Sequence, residues 1–190
     1  MPLHIESERL ILRAFQDADA EAFVVYRNDS EVARYQSWES ISLPRAQAFI
    51  REQKSLEPGV PGQWFQIALA LKATGQLVGD CGLQVLLQDG RQAQLGITLA
   101  RGYQGQGLAT EALTAVLDFA FINLDLHRVI TVMDCRNAAS AALMERLGMR
   151  REGRFVKHYW FKGEWADEYL YAILQAEWLP KRGLPGLEPA

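Results

Sequence analysis

The sequence predicts one α/β (α+β) domain, in which about four helices flank a mixed, mostly antiparallel twisted sheet of about seven strands. Three observations support this fold class. The 190 residues include 49% hydrophobic and 23% charged residues, as is usual for a folded globular domain. Apolar runs with strand periodicity alternate with runs of helical periodicity. Short glycine turns join neighbouring strand-like runs, which indicates antiparallel hairpins.

The first part of the chain predicts one strand followed by two helices. Residues 10–13 are an apolar run that ends in arginine and form the first strand. Asp17 is a suitable residue to begin the first helix. Ser42 caps the second helix and Pro44 lies in its first turn, where proline is tolerated. A loop with two Pro-Gly pairs, residues 58–62, ends this region.

Three consecutive strand-like runs then predict an antiparallel meander. The runs cover residues 64–71, 77–87 and 92–99. Thr74-Gly75 joins the first two, and Asp89-Gly90 joins the last two. Asp-Gly between two apolar runs is one of the stronger hairpin signals in a sequence.

The second half predicts two helices and three further strands. A long helix follows Gly107, and residues 129–133 form a nearly all-apolar strand that is buried on both faces. Asn137 caps a short helix that ends before Gly148. Residues 155–161 and 164–174 form the last two strands. The predicted element order is β-α-α-β-β-β-α-β-α-β-β.

Residues 1–178 form this one domain, and no repeat or linker divides them. Residues 179–190 carry three of the seven prolines and are predicted to be a loose tail.

The composition argues against several classes of partner. The net charge is −3 and no Lys/Arg run is present, so a nucleic acid is not expected as a partner. No apolar run approaches the ~20 residues of a membrane span, and the N-terminus has no basic, apolar leader. Cys81 and Cys135 have no metal-ligand spacing, so we expect two free thiols, no metal site and a cytoplasmic location.

A glycine-rich turn between a strand and a long helix is the segment most informative about function. Gly102, Gly105 and Gly107 precede the helix, whose first turn has unpaired N–H groups and the positive end of the dipole. Glycines allow a phosphate to approach such N–H groups closely. The turn lacks the Gly-Lys-Ser/Thr of a nucleotide phosphate loop, and Thr110 replaces the third glycine of a dinucleotide fingerprint. An anion site and a plain connection without a ligand both remain open at this point.

The residues of this turn match a known motif. Gln104-Gly105-Gln106-Gly107-Leu108-Ala109 fits the Gln/Arg-x-x-Gly-x-Gly/Ala motif of the GNAT N-acetyltransferase superfamily. Residues 136–149 resemble the Asn-x-x-Ser…Glu-x-x-Gly helix of its RimJ/RimL-like branch, which acetylates protein N-termini and other amines. Residues 9–13 and 165–171 resemble the opening and closing strands of that branch. The resemblance covers residues 7–178 in the predicted order of elements.

The resemblance implies that acetyl-CoA is the donor and that it lies in a V-shaped opening between the strands at 92–99 and 129–133. Backbone groups of Ile97 and Leu99 would pair with the pantetheine arm, and Asn137 would bind the far end of that arm. The residues implied to hold the diphosphate form one continuous run: Gln104, Gly105, Gln106, Gly107, Leu108, Ala109 and Thr110. The acceptor amine would attack the thioester directly in a ternary complex.

The resemblance also indicates a catalytic acid, but no clear base. Ser140 matches the family serine and is the candidate that protonates the leaving thiolate. Met144 stands where many relatives have a tyrosine acid, and Gln94 stands where the branch often has a carboxylate. The sequence leaves open whether Asp80, Asp134, Asp167 or a water chain removes the proton of the amine. Glu111 is interpreted as a carboxylate that the helix dipole favours, and Cys135 is not expected to act as a nucleophile.

The expected function is N-acetylation of a primary amine, either a peptide or protein N-terminus or a small molecule. The alternative is a catalytically weak sensor or scaffold of the same fold that binds acetyl-CoA. Trp38 and the segment at 159–165 are expected to select the acceptor. A homodimer is left open as a further arrangement.

Overall fold

The computed structural model describes residues 3–38 and 40–183. Within these residues the strands form one sheet of eight, in the spatial order β1-β2-β3-β4-β5-β6-β8-β7. All neighbouring strands are antiparallel except β5 and β6, which are parallel. The strands are β1 (His4–Glu6), β2 (Leu10–Arg13), β3 (Trp64–Leu71), β4 (Leu77–Val85), β5 (Gln92–Leu99), β6 (Arg128–Asp134), β7 (Arg150–Phe161) and β8 (Glu164–Leu174).

Helices lie on both faces of the sheet. They are α1 (Ala20–Arg27), α2 (Ser30–Ala33), α3 (Leu43–Lys54), α4 (Leu108–Asp118), α5 (Ala138–Arg146) and α6 (Gln175–Lys181). One core cluster joins α4, α5 and α6 to one face of the sheet. A second cluster joins α1 and α3 to the other face, where the rings of Phe23 and Phe49 stack at 5.3 Å. The α/β class, the predicted meander and the predicted order of the main elements are confirmed.

The interior of the α4 face follows from the helical periodicity of the sequence. Leu113, Val116 and Leu117 on α4 are completely buried against the sheet, as their spacing predicts. Val129 on β6 is buried beneath them. This packing fixes α4 over the strands that carry the glycine-rich turn.

The observed bounds differ from the predicted ones in several places. β4 ends at Val85 instead of 87, and β7 begins at Arg150 instead of 155. The strand β1 and the short helices α2 and α6 are additional to the predicted elements. The first helix begins with a 3-10 turn at Asp17–Asp19, and Gln16, not Asp17, is its cap.

The predicted start of the loose tail also differs from the structure. α6 continues to Lys181, and Leu179 is buried in the core beside Trp178. Trp178 donates from Nε1 to Asp118 at 2.8 Å, and Arg182 forms an ion pair with the same carboxylate. These contacts hold the segment on α4 in spite of its proline. The rest of the predicted tail, residues 184–190, lies outside the described residues. In the described ranges, no helix combines the length and the apolar character needed to cross a bilayer.

Candidate functional site

The parallel strands β5 and β6 separate part of the way along their length. Their register runs from Gln92 opposite Arg128 to Gln94 opposite Ile130 and then ends. β5 stays paired with β4 as far as Leu99, and β6 stays paired with β8 as far as Asp134, so the two strands separate from each other without leaving their outer partners. A V-shaped gap therefore opens towards the carboxyl ends of the two strands, as the resemblance implied.

Backbone groups of β5 point into this gap. The Leu95 carbonyl accepts a hydrogen bond from Thr131 Oγ1 on β6 at 2.9 Å, so it faces β6. Because backbone groups alternate along a strand, those of Ile97 and Leu99 face the same way. The Leu99 carbonyl is occupied, since Gln104 donates to it from Nε2 at 2.9 Å. The β5–β6 register provides no partner for Ile97.

The glycine-rich turn continues from β5 and presents N–H groups at the start of α4. Gly105 and Gly107 have φ values of +72° and +79°, which glycine adopts without strain. Gly107 is the N-cap of α4, and the first helical bond runs from Glu111 N to the Gly107 carbonyl at 3.1 Å. In the part of the chain that the structure describes, the N–H groups of residues 107–110 have no protein acceptor. These donors lie at the positive end of the helix dipole and suit an anion.

The turn is held in place by the β1–β2 connection. Glu111 accepts from Ser7 Oγ at 2.7 Å and from Arg9 N and Nε at 2.6 and 2.7 Å. Arg9 also donates from Nη1 to the Gln106 carbonyl at 2.9 Å. Burial would raise the pKa of Glu111, but these hydrogen bonds lower it overall. Glu111 is thus an anchor of the turn, a role that the helix dipole alone does not indicate.

The start of α5 lies on the same rim of the gap, because α5 follows the carboxyl end of β6. Asn137 accepts from Ser140 N through Oδ1 at 3.1 Å, which leaves its Nδ2 group for a ligand. Ser140 is half-buried, and within the described ranges its hydroxyl makes no hydrogen bond. Met144 is only 1% exposed and packs in the core. The fold therefore brings the turn, Asn137 and Ser140 to one edge of the sheet.

The three aspartates considered as bases are each held by other groups. Asp80 is buried and accepts from Tyr26 Oη and Arg27 Nη2, both at 2.6 Å. Asp134 binds Arg136; burial would raise its pKa, but the arginine lowers it overall. Asp167 accepts from the Lys157 N–H and the Arg154 guanidinium, which lower its pKa. Each of the three carboxylates therefore already has hydrogen-bond donors from the protein.

The opposite face of β5 is open at Gly96. Leu95 and Leu99 face the α4 side, so Gln94, Gly96 and Thr98 face the side of α1 and α3.

A Cβ at Gly96 would meet no atom within 4 Å. At the neighbouring Gly82, it would lie 2.9 Å from Gln66 Nε2 and 3.1 Å from the Trp64 ring. We call the space over Gly96, with Trp64 and Gln66 on one side, the trough. Trp64 and Gln66 could not be recognised from the sequence, because each occupies an ordinary position in a predicted strand.

The residues expected to select the acceptor have different surroundings. The Trp38 ring stacks on Arg27, whose Cζ lies 3.5 Å from the ring centroid, and its Nε1 donates to the Arg27 carbonyl. Trp38 therefore has a structural role at α1. The tip of the β7–β8 hairpin does approach the α1–α3 side, since Lys162 Nζ donates to the Ala33 carbonyl at 2.6 Å.

The two cysteines are free, as the sequence predicts. Burial raises the pKa of both thiols, although Cys81 is fully buried and Cys135 only partly. A raised pKa makes a thiolate nucleophile unfavourable. Residues 3–38 and 40–183 contain no group of three or more His, Cys, Asp or Glu side chains that could hold a metal ion.

A gap between parallel strands thus lies beside a helix start whose free N–H groups suit an anion, which is the arrangement that the resemblance implies for acetyl-CoA. Residues 9–150 match the family described as the acetyltransferase (GNAT) domain. The chain is 33% identical over 176 residues to the "Uncharacterized N-acetyltransferase YnaD" of Bacillus subtilis, covering 93% of this chain and 99% of the relative. A GNAT-family acetyltransferase structure from Bacillus anthracis superposes with a TM-score of 0.80 at 32% identity, covering 91% of this chain and 99% of that one.

A third relative is the Escherichia coli enzyme named [ribosomal protein uS5]-alanine N-acetyltransferase. It is 33% identical over 88 residues, which are 46% of this chain and 45% of the relative. The chain therefore belongs to the GNAT acetyltransferase family, and the resemblance inferred from its motifs is confirmed. It is an N-acetyltransferase, an acyltransferase that uses acetyl-CoA.

Proposed function

We propose that this enzyme transfers the acetyl group to the α-amine of a peptide or protein N-terminus, by direct attack in a ternary complex. The observation that carries the proposal is the juxtaposition of two openings. The gap between β5 and β6 receives the donor from the α4 side, and the trough over Gly96 reaches the same point from the other face. The E. coli relative whose name gives a protein alanine as acceptor supports this acceptor class.

The donor would be bound at three places along the rim of the gap. The N–H groups of residues 107–110 would hold the diphosphate, with Gly105, Gln106 and Gly107 shaping the turn. Gln104 would act by holding the Leu99 carbonyl, since its side-chain amide is used within the turn. Ile97 would pair with the pantetheine arm, and the free Nδ2 group of Asn137 would donate to it. The thioester would then lie near the narrow end of the gap.

The chemical step needs a neutral amine and a proton for the thiolate. The amine nitrogen attacks the thioester carbonyl carbon, and the C–S bond breaks as the amide bond forms. The half-buried Ser140 hydroxyl would give its proton to the sulfur and regain one from the amine through solvent. Gln94 cannot accept a proton at neutral pH, so it would orient the amine or a water molecule.

Two measurements test the proposal. Acetyl-CoA should raise the melting temperature by mass action, whereas NAD and ATP at the same concentration should have little effect. Thiol release should then be followed with a panel of short peptides with free N-termini and a panel of small amines that includes spermidine. Turnover with the peptides supports the proposal. Faster turnover with a small amine would show that the acceptor is a small molecule and not a peptide N-terminus. Stabilisation by acetyl-CoA without turnover of any acceptor would favour the sensor alternative. Equal stabilisation by NAD would show that acetyl-CoA is not the specific ligand.

A further inference from the structure

One side-chain hydrogen bond closes the narrow end of the gap between β5 and β6. Thr131 on β6 is 4% exposed, and its Oγ1 donates to the Leu95 carbonyl on β5 at 2.9 Å. The last backbone pair of these strands is Gln94 opposite Ile130. Leu95 is therefore the first β5 residue beyond the ladder, and the Thr131 hydroxyl lies at the vertex of the gap.

The hydroxyl replaces the donor that a continued ladder would supply. A buried carbonyl without a donor is unfavourable, so the Leu95 carbonyl would otherwise accept from a β6 amide or from a bound molecule. A bond from a β6 amide would extend the ladder and shorten the gap. A bond from the bound molecule would draw that molecule deeper into the gap. At the outer end, Gln104 occupies the Leu99 carbonyl in a similar way. Between these two side-chain bonds, Ile97 is left for the ligand.

We propose that Thr131 is a positioning residue, which fixes the vertex of the gap and so the depth that the thioester reaches. The inference rests on the proposed function. Gly96, at the floor of the trough, is the residue that follows Leu95. One residue along a strand is about 3.3 Å, so a shift of the vertex by a single residue would move the thioester away from the amine. A displacement of about 1 Å is enough to slow a reaction by ~10²-fold.

The test compares two substitutions that differ in the hydroxyl. Thr131→Val keeps the shape but removes the donor, and Thr131→Ser keeps the donor. Thr114→Val is the matched control, since Thr114 is half-buried on α4 and belongs to neither of the two strands that form the gap. We expect Thr131→Val to lower kcat about tenfold or more and to leave the Kd of CoA within about twofold, because the diphosphate contacts are intact. Thr131→Ser and Thr114→Val should stay close to the wild type.

A second readout does not depend on turnover. The Kd values of acetyl-, propionyl- and butyryl-CoA should change relative to one another in Thr131→Val, because the acyl group lies at the vertex. Their ratios should be unchanged in Thr131→Ser. Unchanged kcat and unchanged Kd ratios in Thr131→Val would overturn the inference. An equal loss of kcat in Thr131→Val and Thr131→Ser would also overturn it, as would a loss of CoA affinity as large as the loss of kcat. An inactive wild type with altered acyl-length ratios in Thr131→Val would overturn the proposed function and retain the inference.

Discussion

Ser140 and Asn137 share the first turn of α5 but contribute different atoms to the site. The Asn137 side-chain oxygen satisfies the Ser140 N–H, so the serine hydroxyl is not needed to cap the helix. Met144, one turn later, is buried and can neither give nor take a proton usefully. Ser140 is therefore the side chain on this helix that we propose as the proton donor to the leaving thiolate.

Replacing this serine tests that role. A positioned proton donor contributes about 10²–10⁴-fold, and a thiolate is a fairly good leaving group, which favours the lower end. We expect Ser140→Ala to lower kcat well over tenfold, with the Kd of acetyl-CoA nearly unchanged. The measurement is steady-state thiol release together with calorimetric donor binding, and Ser37→Ala at an exposed serine is the control. A loss of less than about threefold would leave Ser140 with a structural role alone.

Local motifs predicted where helices begin, whereas single charged residues did not reveal their partners. Gly107 and Asn137 were predicted to begin their helices, and the structure confirms both because a cap depends on neighbouring residues. The partners of Asp80 and Glu111 could not be predicted. Asp80 meets Arg27 and Glu111 meets Arg9 only after distant segments pack together.

The anchoring of α4 on the β1–β2 connection is a property of two elements. Glu111 is largely buried there, with 14% of its side chain exposed, and carries three hydrogen bonds from Ser7 and Arg9. Replacing the carboxylate with an amide weakens charge-assisted hydrogen bonds, each of which contributes at most about 1.5–3 kcal/mol. We therefore expect the free energy of unfolding to fall by about 1–3 kcal/mol. For a chain of this size, the melting temperature of Glu111→Gln should fall by several degrees at pH 7, roughly 2–4 °C per kcal/mol.

The pH dependence of this loss follows from the lowered pKa of Glu111. Because the pKa is lower in the folded state, the stabilisation is complete above the unfolded value of about 4.3 and disappears as the pH falls through the folded value. The difference between wild type and Glu111→Gln should therefore be constant from about pH 6 to 8 and shrink below about pH 4. Glu21→Gln on the exposed side of α1 is the control. A difference that grows on acidification would contradict the assignment.

Whole elements were predictable where burial gives them a periodic pattern. β3 and β5 match their predicted bounds; the first four residues of each alternate between a more exposed and a buried face, and turns bound both strands. The first part of β7 was missed because it is an edge strand whose charged side chains are exposed, which leaves no apolar pattern. β1 was missed because it has only three residues. α6 was missed because it contains Pro180, and a proline usually indicates the end of a helix.

In the part of the molecule that the structure describes, the acceptor side offers amides, and the carboxylates considered as bases near the gap are paired. Gln66, Gln84 and Gln94 lie on this face of neighbouring strands, while Asp80 and Asp134 are paired with arginines. A trough of this kind gives a second or third ammonium group of a polyamine no counter-charge. Among residues 3–38 and 40–183 we also identify no unpaired carboxylate that could act as the base, so we expect the acceptor to arrive with its attacking nitrogen already neutral.

An acceptor site without a free carboxylate should discriminate between two kinds of amine by their pKa. Peptide α-amines have a pKa of about 8, and lysine side chains have a pKa of about 10.4. At pH 7, about a tenth of the α-amines are therefore neutral, but less than about a thousandth of the lysine side chains are. We expect kcat/KM at pH 7 to be at least about tenfold higher for a peptide with a free N-terminus than for the same peptide blocked there and carrying a lysine. Between about pH 7 and 9 the first rate should level off and the second should keep rising, because only lysine remains mostly charged. A peptide with neither amine is the control, and spermidine should be a poor substrate throughout. Lysine acetylated as fast as the N-terminus at pH 7 would show that a strong base acts at the trough, and that the pairing of Asp80, Asp134 and Asp167 does not persist when the acceptor binds.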